Sequence, residues 1–245
     1  MSSASPFAHC RYWIVGASEG LGRALAHALH AEGARLVLSA RNAARLAALA
    51  AELPGAEVLA LDVADTGAVA AAEARLGPLD GVIYSVGLYE PMHAQGWNTA
   101  EAVAMVEANL TGALRVLGAC LPGFIARDAG HVVLIGSLAA YRGLPGAIGY
   151  GASKTGLMHL AETLDADLHR TGVRVQVVNP GFIATRLTAK NSFAMPQIMA
   201  PEAAAQAVLR AMRGRRFATA FPRPFAWAFR LSRLLPRAVY LRLFA

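Results

Sequence analysis

Short apolar runs alternate along this chain with longer segments in which apolar residues recur every three or four positions. The runs are 12–15, 35–40, 57–61, 81–85, 131–135, 173–178 and 217–221. None has a regular polar–apolar alternation, which marks strands buried on both faces, as in a parallel sheet. Helical patterns lie between them. One carries Leu21, Leu25, Ala28 and Leu29; another spans 42–53, with Asn42 placed to cap it and Pro54-Gly55 to break it. Further helices are expected from near Asp65 and Thr66, and over 101–125, 150–170 and 201–212. The alternation predicts an α/β fold, a doubly wound parallel sheet of about seven strands with helices on both faces. Residues 186–200 have little periodicity and read as a mobile lid over a pocket. No repeat, linker or low-complexity boundary divides the chain. Residues 1–245 are therefore expected to form one domain, with 222–245 as a helical extension.

The first run leads into Gly16-Ala17-Ser18-Glu19-Gly20-Leu21-Gly22, and a helix follows. Strand, glycine turn and helix in that order can cradle a dinucleotide. The glycines admit the backbone close to a pyrophosphate, and the helix N-terminus supplies N–H groups and positive dipole. A glycine turn alone is a weak signal, strengthened here by its place in a βαβ unit. The second strand ends at Ser39, Ala40 and Arg41. A site that prefers NAD(H) would carry an acid there for the ribose hydroxyls. With no carboxylate to repel a 2′-phosphate and Arg41 able to bind one, NADP(H) is favoured and NAD(H) is the alternative. The plain reading of Arg41 is a solvated loop charge. Asp62, followed by Val63, closes the third strand; it either accepts from an adenine amino group or caps the next helix. Ser85-Val86-Gly87 leaves the fourth strand by a glycine turn. Asn109 sits within a helical pattern, where asparagine is disfavoured, and its plain reading is a side chain bonded to a neighbouring carbonyl.

Ser137 to Lys154 holds the reactive chemistry. Tyr150 and Lys154 stand four residues apart at the start of a helix, so phenol and ammonium share one face. A phenol with a reference pKa near ~10 is a poor base at neutral pH, and an adjacent cation favours its phenolate. Ser137 offers a hydroxyl to the same substrate oxygen. Together they read as a proton-transfer site. Asn179-Pro180-Gly181-Phe182-Ile183-Ala184-Thr185 follows the sixth strand at its C-terminal end, where ligands lie in open parallel sheets.

Composition narrows the setting. The chain is 56% hydrophobic and 16% charged, enough for a large core and little disorder. Cys10 and Cys120 form neither a CxxC pair nor a disulfide framework, and they fit a reducing, cytoplasmic compartment. Met1 to His9 lacks a charged segment followed by an apolar one, so no secretory leader is expected. No run of ~18 apolar residues lacks a charge, which argues against a membrane-crossing helix. His27 and His30 are the close histidine pair; with no third ligand, no metal site is expected. Of 23 basic residues only Lys154 and Lys190 are lysines, so position 154 suggests a need for a compact ammonium. The net charge of +7 is unevenly placed: residues 1–202 carry 14 basic and 16 acidic residues, residues 203–245 nine arginines and no acid.

In this order, the residues resemble the short-chain dehydrogenase/reductase family, collinearly from about Trp13 to Thr185. The resemblance rests on Gly16, Gly20 and Gly22, Asp62, Asn109, Ser137, Tyr150-x-x-x-Lys154, and Pro180-Gly181 through Thr185. It implies a Rossmann-type fold and hydride transfer between a nicotinamide and a carbonyl or secondary alcohol, with no metal. Tyr150 would be general acid or base. Lys154 would lower its pKa and bond the nicotinamide ribose. Ser137 would polarise the substrate oxygen, and Asn109 would keep a water behind Lys154. Gly16, Ser18, Glu19, Gly20, Leu21, Gly22, Arg41, Asp62, Val63, Ser85, Gly87, Pro180, Gly181, Ile183 and Thr185 would contact the cofactor, Ile183 through its backbone. Two departures stand out. Tyr84-Ser85-Val86-Gly87 replaces the family's Asn-Asn-Ala-Gly, putting a hydroxyl where an amide is usual. The chain also continues into a basic, apolar tail.

That tail carries two short helical patterns split by Pro236. It can lie in a membrane interface, cover the pocket or a subunit interface, or stay disordered. Nucleic acid is not expected, since no aromatic-basic recognition module is present. The expected substrate is a small, hydrophobic carbonyl or alcohol, and the expected assembly a homodimer or homotetramer. A dinucleotide-binding sensor or scaffold without turnover is the alternative. It has no chemical need for Ser137, Tyr150 and Lys154 together.

Overall fold

The structure, a computed structural model, describes residues 5–244. The expectation of no secretory leader, insofar as it rests on residues 1–4, and the last residue of the tail, Ala245, lie outside the described residues. Seven strands form one sheet: β1 (Arg11–Val15), β2 (Arg35–Ser39), β3 (Glu57–Val58), β4 (Gly81–Tyr84), β5 (Gly130–Ile135), β6 (Val173–Pro180) and β7 (Ala218–Phe221). The order across the sheet is β3-β2-β1-β4-β5-β6-β7, and every pairing is parallel. The order reverses beside β1, so a crevice opens at the C-terminal ends of β1 and β4.

Helices α1 (Gly20–Ala31), α2 (Ala43–Glu52) and α7 (Pro201–Arg213) cover one face. Leu25 and Leu29 of α1, Leu46 of α2 and Val208 of α7 meet Ile14 and Leu38 there, all without exposure. Helices α3 (Thr66–Leu76), α5 (Gly112–Ala126) and α6 (Ile148–Leu168) cover the other. Val69, Val116, Phe124 and Leu157 pack there on Trp13, Val82 and Val132. Burying each such leucine or valine contributes about 1.5–3 kcal/mol. This two-sided burial explains why the strands show no regular alternation.

The expected elements are present, including the Asn42 cap, with two differences. The third strand is cut to two residues, yet Leu59 N–H and Leu61 N–H still donate to Leu38 and Ala40 carbonyls at 2.9 and 3.1 Å. Asn42 caps α2 by accepting from Arg45 N–H at 2.9 Å. The 101–125 segment is not one regular helix. It is α4 (Thr99–Val106), a π-helical turn at Glu107–Thr111, and α5. By length and composition alone, Thr99–Ala126 could also cross a bilayer. Here it lies in the wall of the fold, with Met105, Asn109, Ala113 and Val116 buried.

The tail forms α8 (Arg223–Ser232) and α9 (Arg237–Phe244), split at Pro236 as expected, and both pack on the domain. Tyr240 donates to Gly143 O at 2.5 Å, and both Arg142 Nη atoms donate to Leu235 O at 3.1 Å.

Candidate active site

β1 delivers the chain into the glycine turn, and close packing there requires the glycines. A Cβ on Gly22 would lie 2.0 Å from Gly16 O, and one on Gly16 2.8 Å from the Ser85 backbone. Gly16 and Gly20 have φ of +92° and +54°, a region that side chains disfavour. Glu19 is the N-cap of α1 but makes no side-chain cap bond, so its carboxylate does not occupy the helix N-terminus. That end can therefore bind an anion.

The turn forms the floor of a cavity of about 690 Å³, within the range of small-molecule sites. Every residue expected from the sequence to touch cofactor or substrate lines this cavity, with one exception, Asn109. The cradle fits a dinucleotide on a further observation. Among the described residues, Ser85 Oγ is the one buried side-chain nitrogen or oxygen without a hydrogen-bond partner, and Ser85 lines the cavity. A buried hydroxyl left unbonded costs free energy until a ligand supplies a partner.

Ser137 follows β5 and Tyr150 and Lys154 occupy the first turns of α6. Four contacts hold this cluster. Ser137 N–H donates to Asn179 Oδ1 at 3.1 Å. The Ser137 hydroxyl accepts from Ala139 N–H at 3.1 Å and lies near enough to the Tyr150 phenol to favour its ionised form. Lys154 Nζ, in a residue only 2% exposed, donates to Ile135 O at 2.9 Å and Val86 O at 3.1 Å.

Burial is the largest influence on both groups in this cleft. Burial raises the Tyr150 pKa and outweighs the lowering by Ser137. Burial also lowers Lys154, to about 7, because two carbonyl dipoles do not replace the lost water. Lys154 Nζ lies 5.9 Å from the Tyr150 ring centroid. Helical spacing put the two on one face but could not show that burial would be the larger effect on each.

Asn109 is completely buried in the π-helical turn, and its amide makes three hydrogen bonds. Its Oδ1 accepts from Leu88 N–H at 2.7 Å; its Nδ2 donates to Leu88 O and to Ser153 Oγ, each at 2.9 Å. The side chain thus ties the loop after β4 to α6. The plain reading of a side chain bonded to a neighbouring carbonyl describes it in part, through Leu88 O. Asp62 is not the cap of α3; Asp65 is, accepting from Ala68 N–H at 3.1 Å. Asp62 holds its own turn through Ala64 N–H at 3.0 Å and lines the cavity.

The structure adds residues that sequence reasoning missed. At the cavity mouth Arg45 and Arg186 pair with Glu19 at 2.8 and 2.5 Å, while Arg41 lies 4.0 Å from Asp62. Arg45 stands four residues after Arg41 across a helix start, a signal that was available. Arg186 is 167 residues from Glu19 and gave none. The 186–200 segment is pinned to the opposite wall: Tyr89 OH donates to Asn191 Oδ1 at 2.9 Å and Lys190 Nζ to Tyr89 O at 3.0 Å. Lys190 also pairs with Glu90.

A parallel sheet with a glycine cradle at its switch point, beside a serine–tyrosine–lysine cluster, defines a dinucleotide-dependent oxidoreductase site. The chain belongs to the short-chain dehydrogenase family, whose sequence model matches residues 12–195. It is an NAD(P)-dependent dehydrogenase/reductase acting on alcohol and carbonyl groups. An oxidoreductase of Myxococcus xanthus is 35% identical over 235 residues, covering 93% of each chain. A short-chain dehydrogenase of Burkholderia cenocepacia, solved in complex with NADP, superposes with a TM-score of 0.87 at 26% identity, covering 98% of this chain and 99% of that one. One from Sphingobium yanoikuyae, in complex with NADPH, gives 0.81 at 28% identity, over 87% and 88%.

Proposed function

We propose that the protein is an NADP(H)-dependent reductase of an apolar ketone, working in reverse on the secondary alcohol. The observation that carries the cofactor preference is the end of β2. Ser39 there is buried and accepts from Trp13 Nε1 at 2.8 Å; no carboxylate follows it, and Arg41 and Arg45 line the mouth beyond. Three arginines face two carboxylates there, which favours a further phosphate. The neighbours solved with NADP and NADPH support the same choice.

The nicotinamide, when bound, supplies or accepts the hydride. The chain's own residues handle the proton and the oxygen. Gly16 to Gly22 and the N-terminus of α1 hold the pyrophosphate, and Ser85 and Asp62 line the adenosine side. Pro180, Gly181, Ile183 and Thr185 face the nicotinamide end. Ser137 Oγ orients the substrate oxygen beside the Tyr150 hydroxyl. Tyr150, with its pKa raised, holds its proton at neutral pH and gives it to that oxygen during reduction. Lys154 bonds the ribose and balances the phenolate left behind. Asn109 positions this group by fixing the Leu88 loop against α6. Leu187 and Leu88 line the cavity and suit an apolar substrate. The exposed Val103, Leu114 and Ile125 on the outer side of α4 and α5 support a homo-oligomer.

The test is a panel of ketones with NADPH and NADH in parallel, repeated with Arg41→Gln/Arg45→Gln. The expected result is a preference for NADPH that the double variant removes through KM, about tenfold or more for two charge-assisted contacts. An unchanged preference would refute the role of the arginines.

A further inference from the structure

The C-terminal arm turns an apolar stripe outward. α8 faces the domain through Ala226, Phe229 and Ser232, whereas Trp227, Leu231 and Leu234 are 57%, 55% and 80% exposed. Trp227 and Leu231, four residues apart, share one side of α8, and Leu234 follows in the turn after it. α9 is anchored by Tyr240, and its Leu243 is 66% exposed. A helix on the surface of a water-soluble domain ordinarily carries polar residues on this side.

Charge accompanies the stripe. Arg223, Arg233, Arg237 and Arg242 are exposed, and among the described residues none of the four has an ion-pair partner. The whole segment 203–245 contains no acid to offset its nine arginines. Outside that segment several arginines are ion-paired, as at Arg11–Glu57, Arg23–Glu52 and Arg115–Glu107.

We propose that this arm docks on an anionic lipid bilayer. Trp227, Leu231 and Leu234 enter the boundary between headgroups and acyl chains, and the flanking arginines lie among the lipid phosphates. Apolar exposure alone would suit many partners; its combination with unopposed, unpaired arginine fits a surface that is apolar inside and anionic at its rim.

The arm also adjoins the cleft. A row of aromatic rings runs from the lid into α8: Phe193 to Phe182 at 5.8 Å, Phe182 to Phe225 at 5.7 Å and Phe225 to Phe229 at 4.9 Å between centroids. Phe193 itself is 54% exposed. Bilayer contact by the arm would therefore set the lid at the lipid interface, where an apolar substrate partitions. That entry route rests on the oxidoreductase reading of the cleft, but the docking does not.

The experiment is flotation of the full-length protein with vesicles of phosphatidylcholine alone and with phosphatidylglycerol added, at low and high salt. The wild type should rise with the anionic vesicles at low salt and stay behind with the neutral ones. Arg233→Gln/Arg237→Gln should weaken that binding about 30-fold, a factor of about five per charge. Trp227→Gln/Leu231→Gln/Leu234→Gln should also release the protein. Melting curves show whether each variant remains folded without recourse to activity. A wild type that never floats, or variants that float as it does, would overturn the proposal. So would light scattering in which the triple variant lowers the wild-type oligomer mass, because the stripe would then be a contact between copies of the chain.

Discussion

Lys154 offers a test in which burial should be visible as a dependence of stability on pH. The ammonium is enclosed, and burial brings its folded-state pKa from 10.5 to about 7. Between those values the unfolded chain still holds a proton that the folded chain has released. Raising the pH through that window therefore stabilises the fold; below about 7 both states are protonated and the cost of the buried charge is felt in full. The window is about three and a half pH units wide, at about 1.4 kcal/mol per unit, so the total is about 5 kcal/mol. Moving from about pH 7.5 to about pH 9.5 should recover about 2–3 kcal/mol of it. Cys120 works in the opposite sense. Burial raises its pKa to about 12, so stability is lost once the unfolded thiol ionises above about 9. Comparison with Lys154→Met cancels that effect, since only the ammonium differs. Urea unfolding of both proteins without cofactor, followed by tryptophan fluorescence across this range, supplies the measurement. Wild-type stability should gain on the variant by about 2–3 kcal/mol. Parallel curves would refute the argument that burial governs this lysine.

Tyr150→Phe removes the proton donor and should lower turnover by at least about 10²-fold while cofactor affinity, read by fluorescence titration, stays nearly unchanged. Gly22→Ala sets a Cβ 2.0 Å from Gly16 O, so the turn must open. We expect a loss of about 1–3 kcal/mol in chemical denaturation and a larger loss of dinucleotide binding. Ser85→Ala should behave oppositely in the two states: the free protein gains up to about 1 kcal/mol because a buried hydroxyl without a partner is removed, while cofactor binding weakens. A variant destabilised in both states would show that Ser85 is satisfied within the protein. Asn109→Leu strands the N–H and carbonyl of Leu88 and should cost about 2–3 kcal/mol by the same denaturation assay.

The cofactor cradle was legible because it is local. Gly16, Gly20 and Gly22 lie within seven residues, and the turn they form needs no remote segment to define it. Tyr150 and Lys154 were legible for the same reason, since helical geometry sets the relation of positions four apart. Asp62 was ambiguous because two aspartates compete for the start of α3, and only the hydrogen bond to Asp65 decides between them. Asn109 was noticed as a poor helix former, but its partners Leu88 and Ser153 lie 21 and 44 residues away. Asn179 has no role that its local sequence reveals. Its function depends on Ser137 N–H, 42 residues earlier, arriving at the adjacent strand end.

The sequence by itself thus determined the alternation of strands and helices, the glycine turn, the cap at Asn42 and the reactive pair at the start of α6. Each depends on backbone preferences or spacing within one element. Tertiary structure alone decided what lies between elements. It set Glu19 between Arg45 and Arg186, held the lid through Tyr89 and Lys190, and turned Trp227, Leu231 and Leu234 away from the core. It also decided the signs of the pKa shifts at Tyr150 and Lys154. Spacing reports which groups are neighbours. How much water each neighbour has lost is a property of the packed fold, and here that loss is the largest influence on both groups.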